Sequence, residues 1–149
     1  MYHIGFSGSR DGMTPQQQAY LEQRLWAIAA GQGPVNIVDF HHGMSGESDK
    51  IAHYIARKYK YYIIGHPCIE PELQKYRFDC VCDEVRNMAP ALERNGHIVG
   101  EIGSVTGLLI TTPKTDTWSR SGTWGAMQRA KSAGVRVEHI QRNGKMVEF

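Results

Sequence analysis

Apolar positions along the chain fall into short blocks separated by glycine- and proline-rich turns, and successive blocks switch between strand and helix periodicity. Tyr2 to Ser7 is a β-prone run ending in Gly8-Ser9-Arg10, which predicts a strand entering a glycine turn. Thr14-Pro15 reads as N-cap and first helical position. Leu21, Leu25, Trp26 and Ile28 then recur at helical spacing as far as Gly31-Gln32-Gly33-Pro34. Asn36 to Phe40 predicts a second strand, broken at His41-His42-Gly43, and Ile51, Ala52, Ile55 and Ala56 mark one face of a second helix. Tyr61 to Gly65 predicts a third strand. Residues 68–80 carry Pro71 and scattered charge and read as a loop, with a turn of helix over Asp83 to Met88. Pro90 opens a helix carrying Leu92 through Ile98.

Val105 to Thr112 is apolar at nearly every position, as a central strand buried on both faces would be. A polar loop follows over Lys114 to Ser121, then a helix over Gly122 to Ala133 closed by Gly134, then a strand over Val135 to Ile140. Asn143-Gly144 is a turn, and Met146 to Phe149 can add a short edge strand. The alternation predicts one α/β domain over residues 1–149: a Rossmann-like parallel sheet of about five strands with helices on both faces.

Bulk properties narrow the function classes. With 149 residues, 41% apolar and 21% charged, the chain is of single-domain size. A formal charge of +2 gives no general attraction to nucleic acid or anionic membrane, so neither is an expected partner. No apolar run is long enough to span a bilayer, and the N-terminal stretch lacks the pattern of a signal peptide. The three cysteines, Cys68, Cys80 and Cys82, argue against a disulfide framework, so a reducing, cytoplasmic location is expected.

Ligands of open parallel sheets bind beyond the carboxyl ends of the strands. Three loops there combine glycine with small hydroxyl residues: Ser7-Gly8-Ser9-Arg10, His41 to Asp49, and Ser119-Arg120-Ser121-Gly122-Thr123. Each precedes a helix, whose unpaired amides and positive dipole end favour an anion. Arg10 and Arg120 add planar charged forks suited to phosphate. The expected phosphate- or ligand-binding set from these loops is Gly8, Ser9, Arg10, His42, Gly43, Ser45, Gly46, Asp49, Arg120, Ser121, Gly122 and Thr123. His42 can equally order its turn. Trp118 is the expected base-stacking residue, and Trp124 is expected to pack under its helix.

At these loops the chain resembles the SLOG superfamily, which includes the Lonely Guy phosphoribohydrolases and the Rossmann-like domain of DNA-processing protein A. It is most similar to small standalone members of unknown function. The resemblance rests on Gly5-Phe6-Ser7-Gly8-Ser9-Arg10 with Gly12-Met13-Thr14, on His41-His42-Gly43 through Asp49 with Ala52-His53, on Leu92-Glu93-Arg94-Asn95, and on Ser121-Gly122-Thr123-Trp124. It implies a phosphate cradle at Ser121, Gly122 and Thr123, ligand contacts from Arg94 and Asn95, a catalytic pair at Glu93 and Arg94, and a homodimer.

One departure bears on activity. The Lonely Guy enzymes carry acidic residues just after the glycine-threonine pair, where this chain has Trp124, Gly125 and Ala126. The expected function is therefore binding of a nucleotide or nucleotide-derived ligand, as a sensor or sequestering module. N-glycosidase action on a nucleoside 5′-monophosphate is the alternative, single-stranded DNA binding a second one, and enzyme activity is left open. Glu47, Asp49, Glu93 and Asp116 are the carboxylates that could replace the missing one. No cofactor is expected. No metal is expected either: His66, Cys68, Cys80 and Cys82 offer four donors, but C-x-C is not the usual knuckle spacing, and Cys80-Val81-Cys82 would suit a buried apolar segment.

Overall fold

The computed structural model describes residues 2–33 and 37–149. Strand β1 (His3–Gly8) leads to helix α1 (Pro15–Gln32), then β2 (Asp39–His42), α2 (Glu47–Lys58) and β3 (Tyr62–Gly65). A short 3-10 helix (Pro71–Tyr76) precedes β4 (Glu84–Val85), α3 (Ala91–Ile102) and β5 (Gly107–Thr112). Helix α4 (Gly122–Ser132), β6 (Arg136–Ile140) and β7 (Met146–Glu148) complete the order. The strand expected from Asn36 begins at Asp39, and Asn36 itself lies outside the described residues.

One sheet holds all seven strands in the order β4-β3-β2-β1-β5-β6-β7, parallel except for β7, which runs antiparallel to β6. The chain steps outward from β1 to β4, and α3 then carries it back to the other side of β1. The strand order therefore reverses between β1 and β5, whose pairing runs from His3↔Gly107 to Gly8↔Thr112.

The sequence reading undercounted the strands: the described residues form seven, not about five. Glu84–Val85 is a strand where a turn of helix was expected. Two residues are too few to show a period; tertiary pairing makes this strand, through Ile64↔Glu84 and Gly65↔Val85, with the Asp83 carboxylate accepting from the Ile63 N–H at 2.7 Å. The expected loop over 68–80 contains the 3-10 helix. The apolar run over 105–112 forms its strand only from Gly107; Val105 is 94% exposed. Gly107 turns in against the Gly103 carbonyl, a place no side chain could occupy.

Strand alternation divides the interior into two cores. Leu108 and Ile110 face α1 and α2, among Ile4, Phe6, Leu21, Leu25, Phe40, Ala52 and Ile63. Leu109 faces α3 and α4, among Val99, Ile102, Met127 and Val137. Helix α1 starts where expected: Thr14 caps the Gln17 N–H while the Gln17 side chain accepts from the Thr14 N–H. Buried Gln17 also donates to the Pro113 and Ile140 carbonyls, tying the start of α1 to the ends of β5 and β6.

Candidate functional site

The reversal between β1 and β5 opens a cleft of about 490 Å³ at the carboxyl ends of the strands. Ser7, Gly8, Ser9, Arg10 and Asp11 line it from the β1 loop, Ser45 and Asp49 from the β2 loop and the start of α2, and Arg94 and Asn95 from α3. Lys114, Arg120, Ser121, Gly122 and Thr123 come from the β5 loop and α4, and Tyr76 from the 3-10 helix. Four cations thus face two carboxylates, and the cleft is net positive.

Close backbone packing sets these groups in place. A Cβ on Gly8 would lie 2.5 Å from Ser48 Cβ and from Thr112 Oγ1, so only glycine lets β1 end against α2 and β5. Gly46, at φ +89°, does the same for Arg10, whose Cα would be 2.6 Å from a Cβ there. The Arg10 carbonyl then accepts from the Glu47 N–H at 2.9 Å, and its guanidinium lies over the Tyr76 ring, 5.0 Å from the centroid. Ser121 caps α4, accepting from the Trp124 N–H at 3.2 Å, so the first turn of the helix points at the cleft. Thr123 Oγ1 lies 3.4 Å from Ser7 Oγ across the β1–β5 seam.

Arg94 and Asp49 form the floor. The Arg94 guanidinium donates through Nη1 to the Gly43 carbonyl (2.9 Å) and the His66 carbonyl (3.2 Å), and through Nε to Asn95 Oδ1 (3.0 Å). Arg94 is therefore a half-buried structural strut as well as a cleft residue. Asp49 Oδ2 accepts from the Gly43 and Ser45 N–H groups, each at 3.1 Å. Burial pushes the Asp49 carboxyl up to about 7; the Arg94 charge and the two amide hydrogen bonds pull the other way.

The remaining expected residues are placed elsewhere. His42 is fully buried beneath the cleft and does not line it. Its Nδ1 accepts from the Met44 N–H (3.0 Å), so it orders its own turn, and its Nε2 lies 3.0 Å from His53 Nδ1. Gly43 and Gly46 shape the loop from behind the cleft wall. Glu93 is exposed and outside the lining, and so is Trp118, 60% exposed. Trp124 packs beneath α4 against His139 and Phe149. Among the carboxylates weighed from sequence, Asp49 alone lines the cleft. Sequence reasoning missed Asp11, Tyr76 and Lys114 as lining residues. Lys114 and Asp11 follow the strand ends directly, a signal that was available, whereas Tyr76 arrives from a segment with no period.

Of the four donors weighed for a metal, Cys80 and Cys82 come together with Sγ atoms 3.6 Å apart. The histidines they meet are His42 and His53, not His66. Burial favours the neutral form of both histidines.

No protein-family model matches the chain, and no curated protein sequence matches it. Solved structures do resemble it. A molybdenum cofactor binding protein from the phototrophic bacterium Rippkaea orientalis superposes with a TM-score of 0.68 at 17% identity, over 94% of this chain and 76% of that one. DNA processing protein A from Streptococcus pneumoniae gives 0.64 at 19% identity, over 93% of this chain; the match spans only 50% of that longer protein. TM1055, a structural-genomics target, gives 0.60 at 12% identity, over 92% and 72%. At these identities the likeness speaks for architecture alone, and the architecture shared with these proteins is a Rossmann-like fold.

Proposed function

We propose that the protein binds the phosphate of a nucleotide or nucleotide-derived ligand in this cleft, as a sensor or sequestering module. The observation that carries the reading is convergence: Arg10, Arg94 and Arg120 surround the capped first turn of α4 at the point where the strand order reverses. A volume of about 490 Å³ suits a ligand of nucleotide size. The solved relatives contribute a precedent for cofactor binding on this architecture, in one of their names, and nothing about which ligand this chain takes.

Gly122→Asp is the cleanest probe. A Cβ on Gly122 meets nothing within 4 Å, so the fold tolerates the side chain, while its carboxylate stands where the phosphate belongs. Calorimetric titration with a panel of nucleoside mono-, di- and triphosphates is expected to show binding to the wild type and at least tenfold weaker binding to the variant, with equal melting temperatures. A variant that binds as well as the wild type would place the anion elsewhere.

Asp49 makes the affinity depend on pH. Its folded pKa lies above the ordinary carboxyl value of 3.8, so the folded protein holds this proton more tightly from about pH 4 to pH 7. A phosphate alongside raises the pKa further, and binding then takes up a proton. If the extra shift is one unit, affinity rises roughly tenfold from pH 9 to pH 6. Asp49→Asn keeps an oxygen for the two amides and is expected to flatten this rise. Comparing the two profiles removes the titration of the phosphate itself; parallel profiles would disprove the coupling.

The same residue supports a second reading, N-glycosidase action, because a cleft carboxyl that titrates near neutrality suits general acid or base work. No release of base from nucleoside 5′-monophosphates is expected under the binding reading. Multiple turnover that disappears in Asp49→Asn would replace it with the hydrolase.

A further inference from the structure

We infer that His42, His53, Cys80 and Cys82 form a tetrahedral zinc site that clasps the 80–82 segment to the underside of the cleft. The donors come from three places that are distant in sequence: the end of β2, the second turn of α2, and the stretch between the 3-10 helix and β4. One donor atom from each of the four residues lies within 4.8 Å of all the others. Zinc bonds of about 2.0–2.3 Å place tetrahedral ligand atoms about 3.3–3.8 Å apart. The imidazole nitrogens are 3.0 Å apart and the sulfurs 3.6 Å, so within each like pair the spacing is already within tenths of an ångström of a zinc-bound one.

The local sequence supports the same assignment. If Cys80-Val81-Cys82 were an apolar segment packed for its own sake, Val81 would be inside. It is 81% exposed, while both thiols turn in toward the two histidines. Residues two apart on an extended chain share a face, so C-x-C delivers two sulfurs to one point although it is not the knuckle spacing. His42 and His53 are 0% and 2% exposed, with Phe78 stacked on His42, so the centre is closed to solvent on the imidazole side. Two thiolates and two imidazoles select zinc over hard, oxygen-seeking ions.

The proton balance is simple. In the metal-free form His42 Nδ1 accepts from the Met44 N–H, so its ring proton is on Nε2 and is donated to His53 Nδ1. Zinc takes the Nε2 lone pair, and that proton moves to Nδ1. The two thiols release their protons to solvent. Two neutral hydrogen bonds, from Met44 to His42 and from His42 to His53, are given up for two metal–nitrogen bonds.

The clasp would steady the cleft from below. The segment that enters it holds the β2 loop through the Tyr76 carbonyl, which accepts from the Gly46 N–H at 2.8 Å, and through the Ser45–Arg77 bridge.

The test uses the full chain, expressed without a metal-binding tag in zinc-supplemented medium and purified under reducing conditions without chelator. Elemental analysis is expected to find about one zinc per chain. Chelation should remove it and lower the melting temperature, and zinc should restore both. Cobalt added to the chelated protein should give the intense visible bands of a tetrahedral ion and a sulfur-to-metal charge-transfer band. These should persist in Cys68→Ala and vanish in Cys80→Ser/Cys82→Ser. Should the double variant fail to fold, the wild-type cobalt spectrum decides alone. Purified protein without stoichiometric zinc whose chelated form gives no cobalt–thiolate absorption overturns the proposal, as does loss of the bands in Cys68→Ala. None of these readouts involves a nucleotide, so the proposal stands or falls apart from the ligand reading.

Discussion

Leu109→Asp is expected to yield no folded protein. Leu109 is 1% exposed at an interior strand and packs among Val99, Ile102, Met127 and Val137 under α3 and α4. Its δ-carbon would lie 3.2 Å from a Cβ on Gly5, its partner on β1, so it fills the space that glycine leaves. Removing its methyl groups costs about 2–5 kcal/mol in a site that cannot collapse. The carboxylate adds a buried charge among apolar side chains. The sum reaches the whole stability of a typical domain, about 5–15 kcal/mol. Leu109→Ala, losing only the first part, should remain folded with a lower melting temperature. A soluble Leu109→Asp protein that melts cooperatively would contradict the packing described for β5.

Arg94→Ala should have the largest effect on ligand binding, and it should also lower stability. In the cleft it removes a charge-assisted contact to phosphate, about 1.5–3 kcal/mol, which is roughly tenfold to 150-fold in affinity. In the protein itself it strips the donor from the Gly43 and His66 carbonyls and the nearest positive charge from Asp49. An orphaned buried carbonyl costs about 1–3 kcal/mol, so the melting temperature should fall by several degrees. Exposed Arg120 serves as the contrast: Arg120→Ala should weaken binding and leave the melt unchanged. The two variants therefore separate cleft chemistry from scaffold. Binding by Arg94→Ala equal to that of the wild type would remove this residue from the site.

Much of this was legible because the relevant signals are local. Thr14-Pro15 wrote the start of α1, the glycine-hydroxyl turns marked the carboxyl ends of the strands, and the alternation of periods gave the parallel sheet. Of the two edge strands, β4 was harder than β7. β4 has two residues, both exposed, and owes its existence to pairing with β3 rather than to any preference of its own. Val105 misled in the opposite direction: it is apolar and adjoins an apolar run, yet it sits exposed in the turn over 104–106 that precedes the strand.

Within the site, sequence grouped the loops correctly but could not tell facing from backing residues. His42 and Ser45 sit in one loop; the first is sealed below the cleft and the second lines it. The role of Arg94 as a strut is invisible without the two carbonyls it holds, one just past the end of β2 and one just past the end of β3. The His42, His53, Cys80 and Cys82 cluster was missed because spacing rules look for ligands at short intervals, and here the fold brings the pairs together.

The shortness of β4 and β7 has a consequence for how the molecule behaves at high concentration. Open sheets invite strangers: a long bare rim offers a row of amides and carbonyls on which another chain can lay down a strand. Here one rim is two residues long and carries Glu84, with Arg86 beside it, and the other is three residues long and ends at Glu148, held by Arg136. Neither offers enough ladder to template growth, and both put charge where an incoming strand would have to lie. Growth of the sheet by adding a foreign strand at either rim is therefore disfavoured while the molecule stays folded.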